Sequence, residues 1–351
     1  MLTKNEKFCI LGLVKRFNEV IMSTIKDVAK LANVSITTVS MVLNNTQHKI
    51  SRETCDKVIK AANKLNYKPN NIARSLASGK SNIIMLIIPD ISNPFFGLLS
   101  KEISRYIRYK GYFLYIYNSN NENLTEESFQ SLIENNFVEA TFVVDRRVKQ
   151  FSKKILSKNK IVFLDEFDFD SKDMYIVTGN NKKGGYIAVK HLIDSGLNKI
   201  GLVIGPRDSV VSSRRLSGAI DCASEYNIHI DYENIFHADF TYEGGLKAGE
   251  YFSDKDVDAI FCFNDMSAYG LIEYLNQKKI LIPEDISVVG YDNLYINNLL
   301  STKLSSVDQN LGLLAKEAVN MIDKLIKGSN LASKNVFVEP KLVIRESTKK
   351  N

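Results

Sequence analysis

The stretch Ser23-Thr-Ile-Lys-Asp-Val-Ala-Lys-Leu-Ala-Asn-Val-Ser-Ile-Thr-Thr-Val-Ser-Met-Val-Leu-Asn44 decides how the chain is read. Thr24 followed three residues later by Asp27 is an acidic form of the capping box that opens a helix. Ile25, Val28, Ala29 and Ala32 recur at helical spacing and give that helix one apolar face. Asn33-Val34-Ser35 then makes a tight turn, because Asn tolerates left-handed backbone and Ser35 can cap the next helix. In that second helix, Ile36–Asn44, Val39, Val42 and Leu43 fall on the inner side. Thr37, Ser40, Met41 and Asn44 share the outer side, with Ile36 at its start. A third helix runs from the Ser51 cap through Val58, Ala62 and Leu65 to about Asn66. Two short helices joined by a tight turn and braced by a third make a helix-turn-helix, whose second helix enters the major groove. An ordinary small helical bundle would share the apolar pattern but has no need of the polar outer face.

Charge is distributed to match. Residues 1–80 hold 14 Lys+Arg against 5 Asp+Glu, and the remainder 32 against 35, so the net +6 hides a basic head on a slightly acidic body. That asymmetry suits a nucleic-acid-binding module attached to something else, although a solvated Lys-rich surface would give the same figure. A length of 351 residues and 44% hydrophobic content allow two or three domains with real cores. Four cysteines without C-x-x-C spacing exclude a disulfide scaffold and fit a reducing cytoplasm. The longest apolar run, Ile83–Ile88, is far short of the roughly 20 residues of a membrane helix. Phe8–Val14 lacks a cleavage site after it, so residues 1–21 read as a dispensable extension before Met22.

Together with Leu65-Asn-Tyr-Lys-Pro-Asn-Asn-Ile-Ala-Arg-Ser-Leu-Ala77, the opening stretch resembles the N-terminal headpiece of the lactose-repressor (LacI) family of bacterial transcription regulators. The resemblance implies a near-palindromic operator in double-stranded DNA and a homodimer. By position it puts Ile36, Thr37 and Met41 at base edges, and Ser35, Thr38, Ser40 and Asn44 at the phosphate backbone. His48 is a further phosphate candidate. Relatives often carry Arg or His where Met41 stands. Met and Ile donate no hydrogen bond, so they read thymine methyls or groove shape rather than guanine. Residues Pro69–Ala77 are too few to hold a helix in water alone. The resemblance makes 68–80 a hinge that folds in the minor groove, with Asn70 and Arg74 contacting DNA and Leu76 wedged between base steps. Gly79-Lys80-Ser81 is not a phosphate-binding loop, since the glycine required five residues earlier is Arg74.

From Asn82 onward, β-rich runs alternate with amphipathic helical stretches. The runs are Ile83–Ile88, Phe113–Tyr117, Ala140–Val144, Ile161–Leu164, Ile200–Ile204, Ala259–Phe263 and Ile286–Gly290. Helices are expected over Phe95–Lys110, Asn181–Ser195, Ser212–Tyr226, Tyr242–Ser253, Met266–Lys278 and Leu311–Ile326. This alternation predicts an α/β body of two doubly wound parallel-sheet subdomains. The expected division is 1–21 extension, 22–67 headpiece, 68–80 hinge and 81–351 effector and dimerisation domain.

In such sheets ligands bind outside the carboxyl ends of the strands, and those ends are polar here: Asp90, Asn118, Asp145, Asp165, Pro206, Asn264-Asp265 and Asp292. A lone Asp after a strand is commonly a helix cap, but so many converging between two subdomains make a cleft for a sugar or nucleoside. The family's effector-domain landmarks, of the fold shared with periplasmic sugar-binding proteins, are resembled by Ile88-Pro-Asp-Ile-Ser-Asn-Pro-Phe-Phe96, Gly205-Pro206, Arg215-Leu-Ser-Gly218 and Ile282–Asn293. By position, Arg215 and Asp292 grip polar groups of the effector, with Asn264 beside them and Asp145 and Asp165 from the first subdomain. Phe96 and Phe240 stack on its ring; Asn93, Phe95, Tyr295 and Leu311 are lesser candidates. Arg214 reads as a surface charge and His191 as structural. No metal-ligand spacing links His229 or His237 to each other or to any cysteine, and no catalytic elbow or dinucleotide loop is present.

The sequence therefore reads as a cytoplasmic repressor, not an enzyme, without cofactor, metal or membrane span, whose DNA binding a small carbohydrate effector controls. The alternatives are a nucleobase- or nucleoside-responsive repressor and a catabolite-control type driven by a protein corepressor. A solute-binding protein would not need the headpiece. Beyond Arg345 there is no heptad tail of the kind that ties dimers into tetramers.

Overall fold

The computed structural model describes residues 23–43, 50–67, 81–120, 122, 124–144, 152–164 and 174–349. The expectations for residues 1–21, Asn44, His48, the 68–80 hinge with Asn70, Arg74 and Leu76, and Asp145 and Asp165 lie outside them. The chain divides into two units, Met1–Ser81 and Asn82–Asn351.

Among its described residues the first unit holds three helices: α1 (Ile25–Ala32), α2 (Ile36–Leu43) and α3 (Arg52–Lys64). The expected capping box forms, with the Asp27 N–H donating to Thr24 Oγ1 (3.4 Å) and the Thr24 N–H to Asp27 Oδ2 (2.8 Å). The Thr24 hydroxyl also donates to Asp27 Oδ2 (2.7 Å), and with the Thr24 N–H it holds the Asp27 carboxyl below its ordinary range. Asn33 adopts the left-handed conformation (φ 51°) that ends α1 and turns the chain. Val28, Val39 and Val58, one from each helix, are fully buried against one another, so three short helices share one core. Helix α3 stops at Lys64, two residues before the expected end, and Asn66 takes a left-handed conformation (φ 47°) just beyond it.

The described residues of the second unit form two six-stranded sheets. Its elements are β1 (Ile83–Ile88), α4 (Pro94–Tyr109), β2 (Phe113–Asn118), α5 (Glu126–Asn135), β3 (Ala140–Val143), α6 (Lys153–Lys158), β4 (Ile161–Phe163), β5 (Tyr175–Gly179), α7 (Asn181–Asp194), β6 (Ile200–Ile204), α8 (Val210–Glu225), β7 (Ile235–His237), α9 (Tyr242–Phe252), β8 (Ala259–Cys262), α10 (Asp265–Gln277), β9 (Ser287–Tyr291), β10 (Ser305–Asp308), α11 (Leu311–Lys327), β11 (Asn335–Val338) and β12 (Lys341–Val343). One sheet has the order β11-β5-β4-β3-β1-β2 and the other β12-β10-β9-β8-β6-β7. All pairings are parallel except β10–β12, which is antiparallel. Burial on both faces explains why the central strands are continuously apolar: from Ile84 to Ile88, β1 is fully buried.

The chain crosses between lobes three times: between β5 and β6, between β10 and β11, and through Glu339-Pro340 between β11 and β12. Beyond Arg345 it stays fixed to the second lobe. Ser347 Oγ donates to the Val288 carbonyl (2.6 Å) and accepts from the Ser305 N–H (2.8 Å), while Thr348 meets His191 Nε2 at 2.9 Å. His191, half-buried, thus braces the C-terminal segment, and burial lowers its pKa.

Candidate functional site

Helix α2 presents the face expected to meet DNA. The Ser35 hydroxyl accepts from the Thr38 N–H (3.0 Å) and caps the helix, which leaves Ile36, Thr37 and Met41 on its outside. Ile36 is 44% and Met41 43% exposed. Apolar side chains left this open on a helix whose other side is fully buried have no role in the headpiece core. Thr38 and Ser40 flank them, half-buried.

In the second unit a cavity of about 510 Å³ opens where the carboxyl ends of both sheets converge. From the first lobe come Asp90, Asn93, Phe95, Phe96, Val144, Leu164 and Thr178; from the second, Pro206, Ser209, Val211, Arg215, Asp239, Phe240, Thr241, Asn264 and Asp292; Gln309, Leu311 and Leu314 come from the crossing after β10. Phe95 and Phe96 begin α4 behind the Asn93 cap and sit edge to face, ring centroids 5.2 Å apart. Phe95 packs against the cores of both lobes.

Arg215 is held from three sides. Its Nε donates to Asn181 Oδ1 (2.9 Å), its Nη1 to the Phe263 carbonyl, and its guanidinium lies 3.6 Å over the Tyr291 ring. Gly184 and Gly185 of α7 make that possible: a Cβ at Gly184 would overlap the Tyr291 hydroxyl, and one at Gly185 the Arg215 carbonyl oxygen. Arg214, next in sequence, is exposed. Asp292 carries a positive φ of 109°, unusual for a residue with a side chain. Its carboxylate accepts from Gln309 Nε2 (2.7 Å) and from the Asp265 N–H. Burial raises its pKa, and the Arg215 charge works against that rise.

Asp265 lies fully buried beneath it, accepting from the Leu294 N–H (2.8 Å), Asn297 Nδ2 (2.9 Å) and Ser306 Oγ (2.7 Å). Burial and the neighbouring Asp292 charge push its carboxyl up, whereas the three donors pull it down. It anchors the loop that carries Asp292 and does not itself reach the cavity wall.

Of the sequence-derived effector residues, Asn93, Phe95, Phe96, Arg215, Phe240, Asn264, Asp292 and Leu311 line the cavity. Tyr295 does not: it is 71% exposed, on a 3-10 turn outside the cavity. The Asn264 amide is engaged at both ends. It donates to the Phe240 carbonyl (2.8 Å) and accepts from the Ser267 N–H (3.1 Å), so it caps α10 and fixes Phe240 at its positive φ of 67°. Asn118 binds Asn120 and the Ile91 N–H instead of facing the cavity. Gln309, Thr178, Val211 and Thr241 were not evident from the sequence. Gln309 and Thr178 lie at lobe crossings, which no local pattern marks.

The model for bacterial regulatory proteins of the lacI family matches residues 24–70, and that for a periplasmic binding protein-like domain residues 189–348. The HTH-type transcriptional repressor PurR of Photobacterium profundum is 32% identical over 332 residues, 93% of this chain and 99% of that protein. The lac repressor dimer solved with operator and the anti-inducer ONPF has the same fold, with TM-score 0.81, 24% identity, and coverage of 93% of this chain and 99% of its own. A periplasmic binding protein/LacI transcriptional regulator from Alkaliphilus metalliredigens, complexed with D-xylulofuranose, matches at TM-score 0.68 and 26% identity, over 77% of this chain and 100% of that one. With its helix-turn-helix and paired α/β lobes, the chain belongs to the lacI family of bacterial regulatory proteins and is a DNA-binding transcriptional repressor, not an enzyme.

Proposed function

We propose that the repressor acts as a homodimer on a near-palindromic operator and is controlled by a small carbohydrate bound in the interlobe cavity. The observation that carries the effector reading is the pairing of Arg215 and Asp292 at one end of a cavity that also offers the faces of Phe95, Phe96 and Phe240. A sugar hydroxyl both donates and accepts, so one diol edge satisfies the guanidinium and the carboxylate together, while the ring faces lie on aromatic carbon. The D-xylulofuranose held by the Alkaliphilus regulator is in keeping with this.

Ile36 and Met41 are read as contacts to thymine methyls, with Ser35, Thr37, Thr38 and Ser40 beside them. In the dimer, Phe113, Tyr115 and Ile116 of the edge strand β2, exposed together with Tyr109, face the second copy. Ligand-dependent movement of the lobes then changes the spacing of the two 68–80 segments and with it the grip on DNA. The division at 22–67, 68–80 and 81–351 and a cytoplasmic location belong to the same proposal.

A nucleobase is the second reading, favoured by the PurR relatives. Thermal-shift titration with neutral sugars and with purine bases, followed by operator binding with each stabilising compound, separates the two. Intact operator binding with no response to any small molecule would point instead to a protein corepressor.

A further inference from the structure

We propose that the cavity takes an effector without negative charge and rejects its phosphorylated counterpart; this rests on reading the cavity as the effector site. Among the described residues, the ionisable groups on its wall are Asp90, Asp239, Asp292 and one cation, Arg215. That cation is already partly engaged within the protein. Two of its five N–H groups serve Asn181 and the Phe263 carbonyl, its face covers Tyr291, and its charge is balanced by Asp292. Three N–H groups remain beside a carboxylate with acceptor capacity left over. A hydroxyl or an amide edge can answer both. A phosphate dianion offers acceptors only, so it would meet Arg215 at the expense of facing Asp292, with Asp265 buried behind that carboxylate and Asp239 also on the wall.

Helix ends oppose this reading at first sight. The helices α4, α8, α9, α10 and α11 all begin at the cavity, and helix N-termini favour anions through their unsatisfied N–H groups and dipoles. Here a capping side chain already occupies one N–H of each first turn. Asn93 accepts from the Phe95 N–H, Ser209 from Ser212, Thr241 from Gly244, Asn264 from Ser267 and Asn310 from Leu313, at 2.9–3.4 Å. Carboxylates also stand at the ends: Asp265 is the first residue of α10, and Asp239 accepts from the Thr241 N–H (3.1 Å) just before α9. The helix ends are therefore matched only in part within the protein, and what they still offer a phosphate is set against the carboxylates of Asp90, Asp239 and Asp292 on the same wall.

The test is calorimetric titration of the full-length protein with D-ribose, D-ribose 5-phosphate, adenine, adenosine 5′-monophosphate and inorganic phosphate, at ionic strength matched with chloride. Wild-type protein should give no saturable binding of inorganic phosphate or of either ester, and a neutral compound that binds should do so at least about ten-fold more tightly than its ester. Asp239→Lys, or Asp90→Lys should the first variant fold poorly, should gain saturable phosphate binding. Phosphate or ester binding by wild type that is lost in Arg215→Gln or in the cavity-filling Val211→Trp would overturn the proposal. So would failure of both lysine variants to gain it, since charge would then not be what excludes phosphate. Silence of every neutral probe, with phosphate binding gained in the lysine variants, would support the charge rule and count against the effector reading.

Discussion

Replacing Gly185 by Ala should weaken the second lobe and disable its arginine together. Gly185 lies in α7 against the backbone of α8; a Cβ there would stand 2.8 Å from the carbonyl carbon of Arg215, 3.0 Å from its Cα, and overlap its oxygen. Since the obstacle is backbone, no side-chain rotation relieves it, and the helices must move apart. Ala188, Val189 and Ala219, all fully buried at this contact, would then lose packing. Overpacking of this kind costs about 1–3 kcal/mol, and an unrelieved backbone overlap belongs at the upper end. Alanine returns about 1 kcal/mol through its better helix propensity, leaving a net loss of about 2 kcal/mol. Gly97 is the control: it sits within α4 with nothing inside 4 Å of a built Cβ, so Gly97→Ala should gain up to about 1 kcal/mol. Equilibrium denaturation of the two variants beside wild type measures both. A Gly185→Ala protein within about 0.5 kcal/mol of wild type would refute the close-contact argument.

Further outcomes follow from the same contacts. Burial holds Asp265 and Asp292 above the ordinary carboxylate value of 3.8, so above that pH the native state binds more protons than the unfolded chain. Their contribution to stability therefore falls as pH rises through the native range, and Asp292→Asn should lose less stability than wild type between about pH 4 and 8 in parallel melts. Asp323 is the reverse case. Lys327, Lys110 and Tyr112 hold its carboxyl low against burial, so its contribution is present at neutral pH and lost on acidification; Asp323→Asn should cost about 1.5–3 kcal/mol at pH 7 and little at pH 3. Deleting residues 345–351 leaves Ser305 and Val288 groups buried without Ser347 and should lower stability in equilibrium denaturation by about 1–3 kcal/mol for each orphaned group. In a selection on random DNA, Met41→Ala should relax preference at one half-site position, and log affinity should fall with log salt by about 0.9 per phosphate contact; an unchanged base preference would remove Met41 from the interface.

The headpiece was legible because its signals are local: a cap at Thr24, an asparagine at the turn, and valines at helical spacing. The central strands were legible for a different reason, since parallel strands buried on both faces leave continuous apolar runs such as Ile83–Ile88. Beyond those seven runs, five strands went unseen. Of these, β10 reads Ser-Ser-Val-Asp, and its serines are fully buried only because Asp265, Ser347 and Arg345 supply partners from far along the chain. Of the others, β7, β11 and β12 lie at sheet edges, and β5 is internal. The cavity shows the same division. Arg215, Asp292 and the phenylalanines follow strand ends or a family pattern, whereas Gln309 and Thr178 enter only because the chain crosses between lobes there. Asn264 was seen as a cavity residue; its amide turned out to be occupied in holding Phe240 and α10.

Operator affinity, measured with and without a saturating effector from the thermal-shift panel in wild type and Arg215→Gln, tests the coupling of cavity to DNA most directly. The account predicts a change in operator dissociation constant of about 5–150-fold in wild type, with effector-free affinity kept and the change lost in Arg215→Gln. An equal change in both proteins would contradict it, because the effector would then act from somewhere other than this cavity.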